Sequence, residues 1–347
     1  MILKARIVLA SALTALLAAS PVVPDVESPT PREHRRGTEQ TFLTFPEWFL
    51  VFSPAEYAAF VAHDGPSAFP FYGHVAQFWR SYRAVYDATK AAYPPNQEYH
   101  VMIAVIGTST TVEYGVRLAY ETIIGRITEL TTTYPSTEED RLAARVSQEY
   151  VDFIRVRPWY EFDFAGALGR VWRTSFWGGD LLRKWERKYA LTTEYGLKAV
   201  YGWVILKASH ASYGEALPVT MVVIGDYNEG LAADLPDMKV VARLPNRAVL
   251  ASLPRYEAFT RCALLVARRG ARFEEIAGNR SVILVTALVP SGPPPTLSDA
   301  RVLFTQPILT EPQRQRVAYV VPVASLDEAL RHLEGARAST VEHVFDY

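Results

Sequence analysis

The sequence predicts an α+β protein: a mostly helical N-terminal domain at 41–215, a linker at 216–235 and a ferredoxin-like split βαβ domain at 236–347. Three observations lead to that class. Apolar residues recur at helical spacing up to about residue 215, short β-branched runs divided by turns follow from about residue 235, and 347 residues suffice for two hydrophobic cores.

The chain opens with Lys4 and Arg6, an apolar run from Ile7 to about Ala19, and then Pro21 and Pro24. A charged leader before a hydrophobic stretch is the order of a secretory signal. Ala18 and Ser20 fit a small-residue cleavage site, whereas Pro21 resists the position after the cut. Residues 1–24 therefore read either as a removed signal peptide or as an N-terminal anchor held in the membrane by 7–23. Both place the protein in the cell envelope, exported. Residues 25–40, rich in Pro, Glu, Arg and Ser, read as a flexible tether.

The helical domain opens with TFLTF, an apolar run of strand character. Ser53-Pro54-Ala55-Glu56 has the form of a helix start, with Ser as N-cap, Pro in the first turn and Glu three residues after the cap. The capping pattern returns at Ser136 to Glu139, followed by an apolar face of Leu142, Val146, Tyr150 and Phe153. Further helices are expected at 70–92, 108–130, 165–189 and 192–208, the first with a core stripe of Phe71, Phe78, Trp79, Tyr82 and Tyr86. The apolar stretch at 101–106 is followed within one span by Glu113, Arg117 and Glu121. Each would cost about 2.5–3.5 kcal/mol at mid-bilayer depth, so a second membrane segment is not expected.

Beyond residue 235, strands are expected at 239–244, 248–253, 281–289, 301–308, 316–323 and 340–345. Helices are expected at 255–268 and from the capping box Ser325-Leu326-Asp327-Glu328 onward. Strand, helix, strand, strand, helix, strand is the order of one ferredoxin-like sheet with both helices on one face. The Pro-rich stretch 291–296 falls where its halves would join.

Composition narrows the function. The 36 basic and 37 acidic side chains cancel, which removes the chain-wide positive field that nucleic-acid binding needs. Cys262, the one cysteine, shares an apolar helical face with Phe259, Ala263 and Val266 and reads as a core thiol. Alone in the chain, it forms no intramolecular disulfide or thiolate metal site. Nucleotide, zinc-protease, serine-hydrolase and EF-hand motifs do not occur, and no cofactor or metal is expected.

One internal echo carries the candidate site. Val112-Glu113-Tyr114-Gly115-Val116-Arg117, then Tyr120, match Thr193-Glu194-Tyr195-Gly196-Leu197-Lys198, then Tyr201. On a helix, Glu and the base four residues later share a face and pair, while the glycine lets a neighbouring backbone approach. Either two helices cross at these glycines with paired charges at the contact, or Glu113, Arg117, Tyr120, Glu194, Lys198 and Tyr201 line a polar pocket for an anionic or sugar-like ligand. His100 and His210 flank the two stretches and are candidates to join such a pocket. Two functions follow. The first is a non-catalytic, exported or membrane-tethered module that binds a protein or small ligand; the alternative is an envelope enzyme working through Glu113, His100 and His210, with or without a metal.

Overall fold

The computed structural model describes residues 28–134, 136–212 and 219–346, the side chains of 208–212 excepted. The expected signal or anchor at 1–24 lies outside the described residues. The chain is mixed helix and sheet, an α+β arrangement with its helices first and two four-stranded antiparallel sheets after them.

Among the described residues a short helix, Gln40–Leu43, precedes six longer ones in the first part: α1 (Phe45–Val61), α2 (Phe71–Thr89), α3 (Gln97–Tyr120), α4 (Glu138–Ile154), α5 (Phe164–Arg173) and α6 (Leu181–Ser212). A π-helical turn, Glu121–Gly125, carries α3 on into a last turn, Arg126–Glu129. Several boundaries differ from expectation, each for a local reason. TFLTF is helical rather than a strand, because Pro46 sits in the first turn of α1 and starts that helix early. Ser53 and Pro54 therefore lie inside α1, and the Ser53 hydroxyl bonds His74 and Tyr114 instead of capping a helix. The capping box of α4 is Thr137 with Asp140, one residue later than expected. The break between α5 and α6 falls at Gly178-Gly179-Asp180, where Gly178 at φ 133° and Asp180 at φ 56° turn the chain.

The sheet part comprises β1 (Val219–Gly225), α7 (Glu229–Asp234), β2 (Lys239–Arg243), β3 (Val249–Pro254), α8 (Glu257–Arg268) and β4 (Arg272–Ile276), then β5 (Val282–Pro290), β6 (Arg301–Pro307), β7 (Arg314–Pro322), α9 (Leu326–Gly335) and β8 (Thr340–Val344). The strand orders are β2-β3-β1-β4 and β6-β7-β5-β8, every neighbouring pair antiparallel. The expectation of one sheet over 236–347 is thus corrected to two. Two strands escaped the pattern: β1 lies in the stretch read as linker, 216–235, and β4 alternates as Arg272-Phe273-Glu274-Glu275, too polar to stand out. The Pro-rich stretch 291–296 links β5 to β6 within the second sheet rather than joining two halves. Ser325 precedes α9 without capping it, its hydroxyl bonding Asp299 instead.

One large core unites the inner faces of both sheets with α8 and α9, through Val222, Val249, Phe259, Val285, Tyr319 and Leu330 among others. Cys262 is buried there, and burial pushes its thiol up to about 11. The outer face of the second sheet meets the helical part, where Phe42, Phe45, Phe52 and Val85 pack on Leu284, Ala318 and Val320. The segment expected to be a flexible tether is docked from residue 28 onward. Ser28 and Thr30 hydroxyls donate to the buried Glu275 carboxylate at 2.6 and 2.5 Å, Arg35 holds two carbonyls at 2.7 Å, and the Arg36 N–H donates to Ala277. A buried carboxylate must be hydrogen-bonded, and this polar segment supplies two donors beside the Arg280 guanidinium, 2.7 Å from the other oxygen.

Candidate functional site

The echoed motifs meet. α3 and α6 run antiparallel, and contacts descend along them: Glu113 with Lys198 at 3.0 Å, Arg117 with Glu194 at 3.6 Å, Tyr120 with Tyr189 at 6.3 Å between ring centroids, and Glu121 with Arg187 at 3.1 Å. Within each helix Glu194 holds Lys198 at 2.9 Å and Glu113 reaches Arg117 at 3.9 Å. The contact is reciprocal, the acid of each motif pairing with the base of the other, so the pair has a local two-fold relation. Arg117 stacks over Tyr57 at 4.3 Å, and Lys198 lies 5.7 Å over both Tyr150 and Phe164. Burial alone would raise the Glu194 carboxyl, but Arg117 and Lys198 outweigh it and hold it at about 2. The same acids raise Arg117 and Lys198 against the opposing effect of burial.

The glycines are not at that contact. Side chains built at Gly115 and Gly196 would meet nothing within 4 Å among the described residues, so α3 and α6 touch through their charges and not through a glycine crossing. Tyr120 and Tyr201 are not brought together either; Tyr201 is 48% exposed and stacks 5.5 Å from Trp159. His100 accompanies Tyr82, whose hydroxyl lies 2.9 Å from its Nδ1, thirteen residues along α3 from Glu113, or about 20 Å. His210 belongs to α6, and its side chain lies outside the described residues.

Next to the quartet is a denser charge cluster that sequence reasoning missed. Arg183, Lys184, Glu186, Arg187 and Lys188 of α6 are all buried. Arg183 pairs with Asp140 at 3.0 Å and Glu186 at 3.1 Å, while Lys184 and Lys188 share Glu139 at 3.2 and 3.1 Å. Arg187 bridges Glu121 and Glu186. Four bases thus meet four acids inside the bundle, and the π-helical turn of α3 sits where Glu121 enters. The apolar side of α6 faces outward, with Leu181, Leu182, Trp185 and Tyr189 between 41% and 65% exposed. The available signal was the run Arg183-Lys184-Trp185-Glu186-Arg187-Lys188, which reads as a solvated face unless the acids of α3 and α4 are matched to it.

Two clefts flank Trp48. One, of about 300 Å³, holds Glu56, Arg316 and Glu342. Arg316 is almost fully buried, bonding Glu342 at 2.6 and 2.7 Å and Glu56 at 3.1 Å. Burial pushes the Glu56 carboxyl up to about 7 despite Arg316. Behind it a polar chain enters the helical core: Glu56 Oε2 to His74 Nε2 at 3.7 Å, His74 Nδ1 to Ser53 at 2.9 Å, and Ser53 to Tyr114 at 2.7 Å. Burial lowers His74 to about 3, so this imidazole stays neutral. The other cleft, of about 340 Å³, holds Glu47, Tyr99, Arg255, Tyr256 and Asp346. Burial likewise raises Glu47 to about 7, and Tyr256 adopts φ 62°, a strained value for a side chain of that size. A carboxyl that exchanges its proton near neutrality can act as an acid or base, or take up a cation. Among the described residues no three His, Cys, Asp or Glu side chains are placed to hold a metal ion, and no helix is long and apolar enough to cross a membrane. Comparison with protein-family models, curated proteins and solved structures finds no match.

Proposed function

We propose that this chain is a non-catalytic, exported or membrane-tethered module of the cell envelope that works by docking through the outward face of α3 and α6. The observation that carries the reading is the inversion of α6. Between Leu181 and Val204 no charged side chain is exposed, whereas the five charges from Arg183 to Lys188 are buried and paired. A helix with its charges inside and its apolar side outside is built to be covered. Residues 1–24 supply the export signal or anchor, and the near balance of acidic and basic side chains disfavours nucleic acid as the partner. Each sheet of the second part is read as a ferredoxin-like unit serving as scaffold, the second without its first helix; the orders β2-β3-β1-β4 and β6-β7-β5-β8 support this.

A photo-crosslinking residue placed at Val116 on α3, and for comparison at Arg331 on α9, tests the docking reading in intact envelopes. Adducts from Val116 and none from Arg331 are expected. Equal absence of adducts from both positions rejects the reading. The cleft at Glu56 favours a second one, an envelope enzyme using Glu56 as acid or base instead of the Glu113, His100 and His210 set expected from sequence. In that case Glu56→Gln abolishes an envelope activity while leaving the Val116 adducts unchanged.

A further inference from the structure

We propose that the outward face of α3 and α6 is covered by a second copy of this chain, forming a two-fold dimer; this rests on the docking reading and names its partner. Nine large apolar side chains between Val101 and Leu130 and nine between Leu181 and Val204 are each at least 40% exposed. The two rows adjoin where Tyr120 meets Tyr189. Eighteen such residues approach the roughly 20–30 per side of a standard stable interface, and exceed the scattered apolar residues a water-facing monomer carries.

Two features select a helix-bearing protein over a lipid surface. Gly115 and Gly196 stand in mid-helix without positive φ, and a side chain on either would meet open space. Glycine is among the poorest helix formers, and nothing among the described residues uses the missing side chains. A neighbouring helix laid close against them does, whereas fluid hydrocarbon adapts to any side chain and needs no notch. The face also carries both halves of a fit. Val116 and Leu197 stand as ridges beside the notches at Gly115 and Gly196, and the echo repeats ridge and notch about the local two-fold relation. A surface of that kind is self-complementary: the ridges of one copy seat in the notches of the other, and the contact is reciprocal.

Sedimentation velocity on the full chain tests this, with N-terminal segment and conditions held constant across variants. The wild type is expected to dimerise at micromolar concentration. Gly115→Leu and Gly196→Leu should each weaken the dimer at least tenfold, Val116→Glu should abolish it, and Arg331→Glu should leave it intact. Circular dichroism confirms that each variant folds, which is expected because these positions face outward. A wild type that stays monomeric at tens of micromolar, or a dimer indifferent to both glycine variants and to Val116→Glu, overturns the proposal. The docking reading fails separately. A monomer that binds phosphatidylglycerol–phosphatidylethanolamine vesicles and loses that binding with Val116→Glu replaces the second copy by lipid and keeps the docking face. A monomer without such binding and without envelope crosslinks from Val116 removes both.

Discussion

α8 and α6 are both amphipathic, and they face opposite ways. α8 turns Phe259, Cys262, Ala263 and Val266 into the core between the sheets and Arg261 and Arg268 outward. α6 buries Arg183, Lys184, Glu186, Arg187 and Lys188 and leaves Leu181, Leu182, Trp185 and Tyr189 outside. Periodicity divides a helix into two faces, but its neighbours decide which one is inside. α8 meets β-branched strands, against which it packs mainly apolar side chains; α6 meets Glu121, Glu139 and Asp140, against which it sets its bases.

The largest effects test whether these two interiors carry comparable weight. Phe259→Ala should cost about 3–5 kcal/mol by removing a fully buried ring from the sheet core. Glu139→Ala should cost a similar ~3–5 kcal/mol, because Lys184 and Lys188 lose the carboxylate they share. Glu139→Leu should recover little of it, although it adds apolar surface, since Lys188 stays buried without an anion and Lys184 keeps only Glu138, 3.9 Å away. Denaturant midpoints at unchanged slope measure all three. A Glu139→Leu variant as stable as the wild type would show that the ionic interior contributes nothing.

The next effects separate the regions by pH. Glu56 and Glu47 are raised in the folded state to about 7, from about 4.5 when unfolded, so both favour the protonated native form. Their contribution is full below about pH 4.5 and is lost as pH rises through about 7, on the order of 3 kcal/mol for Glu56. Glu56→Gln, which mimics the neutral acid, should flatten that fall. Glu194, held at about 2, acts in the opposite sense: its stabilisation is present above about pH 4.5 and disappears as pH drops toward 2. Stability curves of Glu56→Gln and Glu194→Gln between pH 2 and 8 that both match the wild type would contradict these assignments. The smallest effect is expected at Glu113. Its side chain is 42% exposed, so Glu113→Ala should cost under about 1 kcal/mol and fade with salt, measured by thermal midpoint in low and high salt.

Legibility followed the same division. In the sheet part all six expected strands formed, because buried β-branched runs such as Val282–Pro290 announce themselves, and both expected helices formed. β1 was lost to a linker because the apolar run Val219–Gly225 is short and is flanked by turn-forming residues, Gly214 and Pro218 before it and Asp226 and Asn228 after it. In the helical part the helices were visible but their orientation was not. Glu113, Arg117, Glu194 and Lys198 were found because the echo repeats a spacing, and spacing along a helix survives folding. The glycine crossing was wrong because a glycine signals a close neighbour without saying whether that neighbour lies within the chain. The Glu56 cleft was illegible: Glu56, His74, Arg316 and Glu342 come from α1, α2, β7 and β8, and only the fold assembles them.

The native thiol makes one measurement direct. Cys262 is buried and its thiol is pushed up to about 11, so an introduced surface cysteine is the reactive one. Maleimide labelling rates of Val116→Cys and Arg331→Cys, in intact envelopes and after dilution in mild detergent, report whether the outward face of α3 is covered. Slow labelling at position 116 in envelopes, rising at least tenfold on dilution while position 331 labels rapidly throughout, is the expected result. Equal and rapid labelling at both positions in intact envelopes would contradict the docking face.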